Sequence, residues 1–89
     1  MLKIQFQKSA LINIGQIKLY YNSQKEKLGD KFIDEIILDL QKLKQFPKLG
    51  SKYQENIRKL VFKRNYNIYY FVTEKEIKII KIINTKIDL

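Results

Sequence analysis

The 89-residue chain contains no cysteine and no histidine. Without cysteine it has no disulfide framework, no thiolate nucleophile and no cysteine-based metal site. The absence of histidine as well argues against a structural zinc site and excludes acid–base catalysis by an imidazole. Stability is therefore expected to come from apolar packing alone.

Long apolar runs are also missing. No stretch approaches the roughly 18 apolar residues that a membrane span requires. The N-terminal MLKIQFQKSA alternates polar and apolar residues and lacks the continuous apolar core of a signal peptide. We therefore expect a cytoplasmic protein. Because 89 residues cannot build a second core, residues 1–89 are expected to form a single domain.

Positive charge is abundant and unevenly distributed. Lysine and arginine total 18 against nine acidic residues, a net charge of +9. Residues 1–40 carry six lysines and five acids, which nets +1, whereas residues 41–89 carry ten lysines, two arginines and four acids, which nets +8. Solvated lysines kept for solubility would explain the total but not the asymmetry. The second half should attract a polyanion or an acidic protein.

Two amphipathic helices are predicted in the first half of the chain. LKIQFQ alternates and predicts a short strand, after which Ser9 stands where a helix N-cap is expected. The first helix is predicted in ALINIGQIKLYY and the second in DKFIDEIILDLQKLKQF, with Pro47 ending the second. Gly15 costs a helix interior about 1 kcal/mol relative to alanine, so a close contact is expected to require it.

The hydrophobic period changes to two in the second half. IRKLVFK, YNIYYFV and EIKIIKII predict three strands, and their short connections predict an antiparallel meander. In the last strand the apolar positions slip from 77 and 79 to 80 and 82, which predicts either partial cover on both faces or a β-bulge. The expected fold is α+β with the order βααβββ, in two layers: a helical hairpin packed on one face of an antiparallel sheet.

The stretch RKLVFKRNYNIYY, residues 58–70, interleaves basic side chains with tyrosines. Whichever face of the sheet the helices cover, the other face carries basic groups and at least one tyrosine. Such a surface can bind phosphates and stack bases. Tyrosine and lysine also suit strands and exposed strand faces for structural reasons, so the pattern alone leaves both interpretations open.

Nuclease chemistry is permitted by the composition but not required by it. The acidic residues fall mainly on the second helix, so no metal site and no cofactor are expected. Cleavage that uses the 2′-hydroxyl of RNA as its nucleophile needs a base, an acid and a cation, and lysine, tyrosine and arginine can share these roles.

The ordered set FP..G..Y,.R.LVF, Y.IYY.V and I.II.I..T.ID resembles the RelE/ParE superfamily, the toxins of type II toxin–antitoxin or plasmid stabilisation modules. The similarity covers nearly the whole chain. It implies a toxin that inhibits bacterial growth, with a small acidic antitoxin protein as its partner and no membrane or small-molecule substrate.

The long helical hairpin, the FP..G link and the ending TKIDL are more similar to the ParE branch, which implies DNA gyrase as the target. One alternative is a ribosome-dependent mRNA endoribonuclease of the RelE type, which acts on ribosome-bound mRNA. A second alternative is a degenerate binding module that has lost its toxicity.

The resemblance also implies candidate residues. Arg58, Asn84 and Lys86 are expected to contact the target. Many members of the superfamily carry histidine at the position of Asn84, and asparagine can hydrogen-bond there but cannot titrate. Tyr66 and Tyr70 share a face with the apolar Ile68, so a core role suits them at least as well. If the protein cuts RNA, the candidate catalytic residues are Arg58, Lys63, Arg64, Tyr69 and Lys86.

Overall fold

The computed structural model describes residues 2–86. The helices are α1 (Lys8–Gln24) and α2 (Leu28–Leu40), and α2 continues into a 3-10 helix over Gln41–Lys44. The strands are β1 (Lys3–Phe6), β2 (Ser51–Lys52), β3 (Arg58–Phe62), β4 (Tyr66–Val72) and β5 (Glu76–Asn84). None of the helices in this described part is long and apolar enough to cross a membrane.

The strands form one sheet in the order β1-β5-β4-β3-β2. β3, β4 and β5 make the antiparallel meander that the period-two pattern predicts. β1 pairs in parallel with β5, from Lys3 opposite Glu76 to Phe6 opposite Ile79, so the sheet is mixed rather than wholly antiparallel. The short β2, which the pattern does not predict, adds to β3 at the other edge. The α+β fold with βααβββ order is confirmed.

The two helices cover one face of the sheet. On β4 the side chains of Tyr66, Ile68 and Tyr70 are buried, whereas Tyr69 and Phe71 on the opposite face are only half-buried. The helix-facing side is therefore the one that carries Tyr66 and Tyr70. The fully buried core comprises Ala10, Ile17, Ile36, Leu40 and Leu43 from the helical layer and Tyr66, Ile68, Tyr70, Ile77 and Ile79 from the sheet.

A β-bulge interrupts β5, as the slip in its apolar pattern predicts. Tyr69 lies opposite Lys81 and Tyr70 lies opposite Ile79, which leaves Ile80 as the extra residue on β5. Before the bulge the buried residues of β5 are Ile77 and Ile79, and after it the next one is Ile82. Because of the bulge, all three side chains lie on the same face of the sheet.

Side chains of α1 bind the edge of β5 beyond the last residue of β1. The Ser9 hydroxyl donates to the Ile80 carbonyl, and the Asn13 Oδ1 accepts from the Ile82 amide at 3.0 Å. The prediction of Ser9 as an N-cap is therefore wrong. The helix begins at Lys8 after an N-cap at Gln7, and the Ser9 side chain instead hydrogen-bonds the bulged strand β5.

The helix boundaries also differ from the prediction at the connection between the helices and at the end of α2. α1 extends to Gln24, so the connection between the helices is shorter than NSQKEKLG, and Lys27 in it has a left-handed φ of 63°. α2 ends at Leu40, and the remainder of the predicted second helix tightens into the 3-10 turn before Pro47.

Gly29, not Gly15, is the glycine at which the two helices approach closely. A Cβ on Gly29 would lie 2.2 Å from the Lys18 carbonyl oxygen of α1. Its amide donates to the Asn22 Oδ1 at 2.7 Å. Gly15 has nothing within 4 Å of the position of a Cβ, so the expectation of a close contact there is wrong.

Candidate functional site

Arg58 and Tyr70 together hold the loop of residues 47–50 that follows the helical layer. They lie opposite each other on β3 and β4. The Tyr70 hydroxyl donates to the Pro47 carbonyl at 2.8 Å and accepts from the Gly50 amide at 2.9 Å. The Arg58 Nη1 donates to the Gly50 carbonyl at 2.7 Å and to the Lys48 carbonyl at 3.4 Å. The FP..G link is thus a braced structural element.

A cleft of about 550 Å³ opens beside Arg58. Its cationic lining comprises Arg58 with Lys48 and Lys52, its acidic residue is Glu55, and Ile57 contributes an apolar wall. Arg58 is half-exposed, and only its Nη1 has protein partners within the described residues. The remaining guanidinium donors can bind a carboxylate or phosphate of a target.

Lys63 and Arg64 lie in the β3–β4 turn rather than on a strand, both with left-handed φ, at 49° and 66°. The Lys63 ammonium forms an ion pair with Glu35 and lies 5.5 Å from the ring centroid of Phe32. The hydrogen bond from Lys63 holds the pKa of Glu35 below its usual value. Lys63 is therefore tied to the helical layer, whereas the Arg64 side chain is exposed.

Asn84 ends β5 opposite Tyr66 and is 8% exposed. Its Oδ1 accepts from the Lys86 amide at 2.8 Å, and its side chain also hydrogen-bonds Tyr66. The Tyr66 hydroxyl lies 2.9 Å from that of Tyr21 on α1. Asn84 thus links the end of the sheet to a buried pair of tyrosines, and it fixes the backbone at the exposed Lys86.

The buried tyrosines are unsuited to acid–base work near neutral pH. Burial, with a further contribution from the Tyr21 hydroxyl, raises the pKa of Tyr66 well above its usual value. Burial also raises the pKa of Tyr70. Both phenols therefore stay protonated and act as hydrogen-bonding core residues.

The candidate residues lie in three separate places. Arg58 pairs with Tyr70 and Asn84 pairs with Tyr66, positions about 13 Å apart along β4 at the usual strand rise. Tyr69 points to the opposite face of the sheet. The structure does bring the β3–β4 turn to the end of β5, where the Thr85 amide donates to the Asn65 carbonyl at 2.7 Å. Arg58 and Tyr69 do not lie at this contact between the turn and β5.

A row of basic and aromatic side chains crosses the open face of the sheet, in which Tyr69 is a predicted candidate and the two lysines beside it are not. Lys59 pairs with Tyr69, and Tyr69 pairs with Lys81, so a tyrosine stands between two lysines. The ring of Tyr53 contacts that of Tyr69 at a centroid distance of 4.8 Å. The alternation of side chains along β3 places Lys59 on the face of the sheet opposite to that of Arg58. The residue of β5 that lies in the same row could not be predicted, because the bulge at Ile80 shifts the register.

The described residues contain no group of three or more histidine, cysteine, aspartate or glutamate side chains that could hold a metal ion. The candidate side chains in this part of the chain carry ammonium, guanidinium, phenol and amide groups.

Comparison with solved structures defines the class to which this fold belongs. The chain matches a structure titled "Chromosomal ParDE TA system from P. aeruginosa" with a TM-score of 0.82 and 20% sequence identity, over 97% of this chain and 98% of that one. The fold of the two chains is therefore the same.

The sequence identifies the family within that class. Residues 4–89 match the family model described as the ParE toxin of the type II toxin–antitoxin system parDE. The chain belongs to the ParE toxin family, which confirms the resemblance on which the interpretation of the sequence rests. No curated protein matches the sequence significantly.

Proposed function

We propose that this ParE-family toxin inhibits growth by binding DNA gyrase. Membership of the family over residues 4–89 carries the toxin role. The similarity to the ParE branch supports gyrase over the ribosome as the target. The surfaces proposed to contact it are the exposed part of Arg58 beside its cleft and the end of β5 at Asn84 and Lys86.

The separation of the basic and phenolic candidates favours target binding over RNA cleavage. A metal-free ribonuclease needs its base, acid and phosphate-binding cation within hydrogen-bond reach of one phosphate. Here Arg58 lies about 13 Å along the sheet from the position of Asn84, and Tyr69 lies on the other face. A binding surface tolerates such a separation, because its contacts spread over an interface.

We also propose a small acidic antitoxin as the neutralising partner. The net charge of +9 supports an acidic protein. Large apolar side chains on the outside of the helical hairpin support a partner that covers them: Leu11 is 56% exposed, Leu19 74% and Leu38 73%. The expected observation is a neighbouring reading frame that encodes a short acidic protein and restores growth when it is co-expressed.

Two assays on the purified protein test the target. We expect inhibition of gyrase supercoiling at protein concentrations that leave mRNA intact in a translating extract. Codon-positioned mRNA cleavage without an effect on gyrase would instead establish the RelE-type ribonuclease. A folded protein that is inactive in both assays and harmless when overexpressed would identify a module that has lost its toxicity.

Substitutions distinguish the two mechanisms at the level of residues. For gyrase binding, Arg58→Ala and Lys86→Ala should weaken toxicity gradually, through affinity. Arg58→Lys keeps the charge but loses the planar fork, so it should have an intermediate effect. For RNA cleavage, loss of a phosphate-binding cation should cost on the order of 100-fold or more in rate. Wild-type toxicity in Arg58→Lys, Tyr69→Phe and Lys86→Ala alike would exclude the ribonuclease in the form described.

Because Arg58 also braces the loop of residues 47–50, a structural control is needed. Tyr70→Phe removes the neighbouring brace of the same loop without a change of charge. If Tyr70→Phe lowers toxicity as much as Arg58→Ala does at equal loss of stability, the effect of Arg58 is on folding and not on target binding.

A further inference from the structure

The face of the sheet that the helices leave open carries cations and aromatic rings in alternation. The row Lys59–Tyr69–Lys81 crosses three adjacent strands. With neighbouring strands about 4.8 Å apart, the two lysines flank the tyrosine at a backbone separation of about 10 Å. No carboxylate within the described residues forms an ion pair with Lys59 or Lys81.

The aromatic side chains of this face are accessible. Tyr53 is 51% exposed, and its ring packs edge-on against Tyr69. A shallow groove of about 430 Å³ runs between the tyrosine pair and the β5 residues Lys81 and Ile83. Its volume exceeds that of a nucleobase and falls within the usual range for ligand sites.

The remaining charges on this face are also mainly positive. In the neighbouring row of the same face, the Lys78 Nζ lies 5.9 Å from the ring centroid of Phe71 and 3.9 Å from the Glu76 Oε1. Glu76 lies opposite Lys3 in the register of β5 with β1. Among the described residues that pair across β1, β3, β4 and β5, this face carries Glu76 and four lysines: Lys3, Lys59, Lys78 and Lys81.

We propose that this open face binds single-stranded nucleic acid, with a base stacked on the Tyr53–Tyr69 pair and backbone phosphates on Lys59 and Lys81. Cations that alternate with ring faces suit a chain in which phosphates alternate with bases. An acidic peptide would use the lysines but gain little from the rings. A duplex would offer its phosphates but not its base faces. The proposal does not depend on the identity of the toxin's target.

Binding of fluorescent 12-mer oligonucleotides, followed by anisotropy over a range of salt concentrations, tests the proposal without gyrase. Tyr69→Ala should weaken single-strand binding by roughly tenfold, whereas Tyr69→Phe should bind like the parent protein. Lys59→Gln combined with Lys81→Gln should flatten the salt dependence of log K by about 1.4, at about 0.7 for each lost phosphate contact.

The matched control is Lys25→Gln combined with Lys31→Gln, which removes two exposed charges from the helical layer. An equal change in the salt dependence of log K in this control would overturn the proposal, because binding would then depend on net charge and not on the open face. Equal affinity for duplex and single strand would overturn it as well, as would equal competition by poly-glutamate. DNA and RNA 12-mers of one sequence, assayed in parallel, identify which nucleic acid the face prefers.

Because Tyr69 is half-buried, thermal melting of each variant accompanies the binding assay. If Tyr69→Ala does not fold, Tyr53→Ala replaces it, since Tyr53 lies outside the strands and is exposed. Parental affinity in a folded Tyr53→Ala or Tyr69→Ala variant would overturn the stacking role.

Discussion

Tyr69 and Tyr70 are neighbours in sequence and have opposite surroundings. Tyr70 is 0% exposed, and its hydroxyl is satisfied by both Pro47 and Gly50. Tyr69 is half-exposed and packs against the ring of Tyr53, and its hydroxyl accepts a long hydrogen bond of 3.4 Å from Asn67. Strand parity alone separates them. The same residue type therefore serves the core on one face and is available to a ligand on the other.

This contrast extends to the two faces of the sheet. The side covered by the helices is packed at close range, so changes there should lower stability. The side chains of the open face are half-buried or exposed, as at Tyr69 and Lys81, so we expect changes there to alter binding while the protein remains folded. The predictions below test that division, from the largest expected effect to the smallest.

The largest effect is expected from Gly29→Ala in the helical layer. The new Cβ would lie 2.2 Å from the Lys18 carbonyl oxygen, and backbone cannot move away as a flexible side chain can. We expect a loss of about 3 kcal/mol in the free energy of unfolding. Urea denaturation measures it. A loss below the error of that measurement would show that the helices can separate at little cost.

The second prediction compares the two neighbouring tyrosines directly. Tyr70→Phe leaves the buried Gly50 amide without its acceptor and should lower stability by about 1–3 kcal/mol. Tyr69→Phe removes a weakly bonded hydroxyl and should change stability by less than about 0.5 kcal/mol. Equal losses from the two substitutions would contradict the division into a structural face and a binding face.

Part of this division was predictable from the sequence. The period of two separated Arg58 from Lys59 within 57–63 and Tyr70 from Tyr69 within 66–72. The slip in the last strand indicated either a bulge or partial cover on both faces, and the structure shows the bulge. Which face the helices cover was left open, because it depends on packing between elements. The role of Ser9 could not be found either, since its partner Ile80 is 71 positions away. The parallel pairing of β1 with β5 is equally non-local.

The third prediction concerns alkaline pH. Burial raises the pKa of both Tyr66 and Tyr70 above the ordinary value of 10.0. A group whose pKa is higher in the folded state contributes stability that is complete below its unfolded pKa and is lost as the pH rises through the folded one. The melting temperature should therefore begin to fall above about pH 10. Tyr66→Phe should reduce this fall, because it removes the phenol whose pKa burial raises most.

The smallest effect should have the opposite sign. Gly15 lies inside α1, is exposed and has open space where a Cβ would stand. Gly15→Ala should raise the free energy of unfolding by about 1 kcal/mol through helix propensity alone. Chemical denaturation of Gly15→Ala and of Gly29→Ala compares the same substitution at two positions of the helical hairpin. A destabilised Gly15→Ala protein would contradict the finding that this position is free of contacts.

The position of β5 has a consequence for how a newly made chain becomes a toxin. β5 lies inside the sheet, with β1 on one side and β4 on the other. The first strand therefore waits for its partner until β5 has left the ribosome, because pairing of such distant segments is late and slow. Until that moment the sheet lacks an interior strand and the row Lys59–Tyr69–Lys81 is incomplete. Chains that are released before β5 has been synthesised should not reach the folded state, so a prematurely terminated product is expected to be harmless.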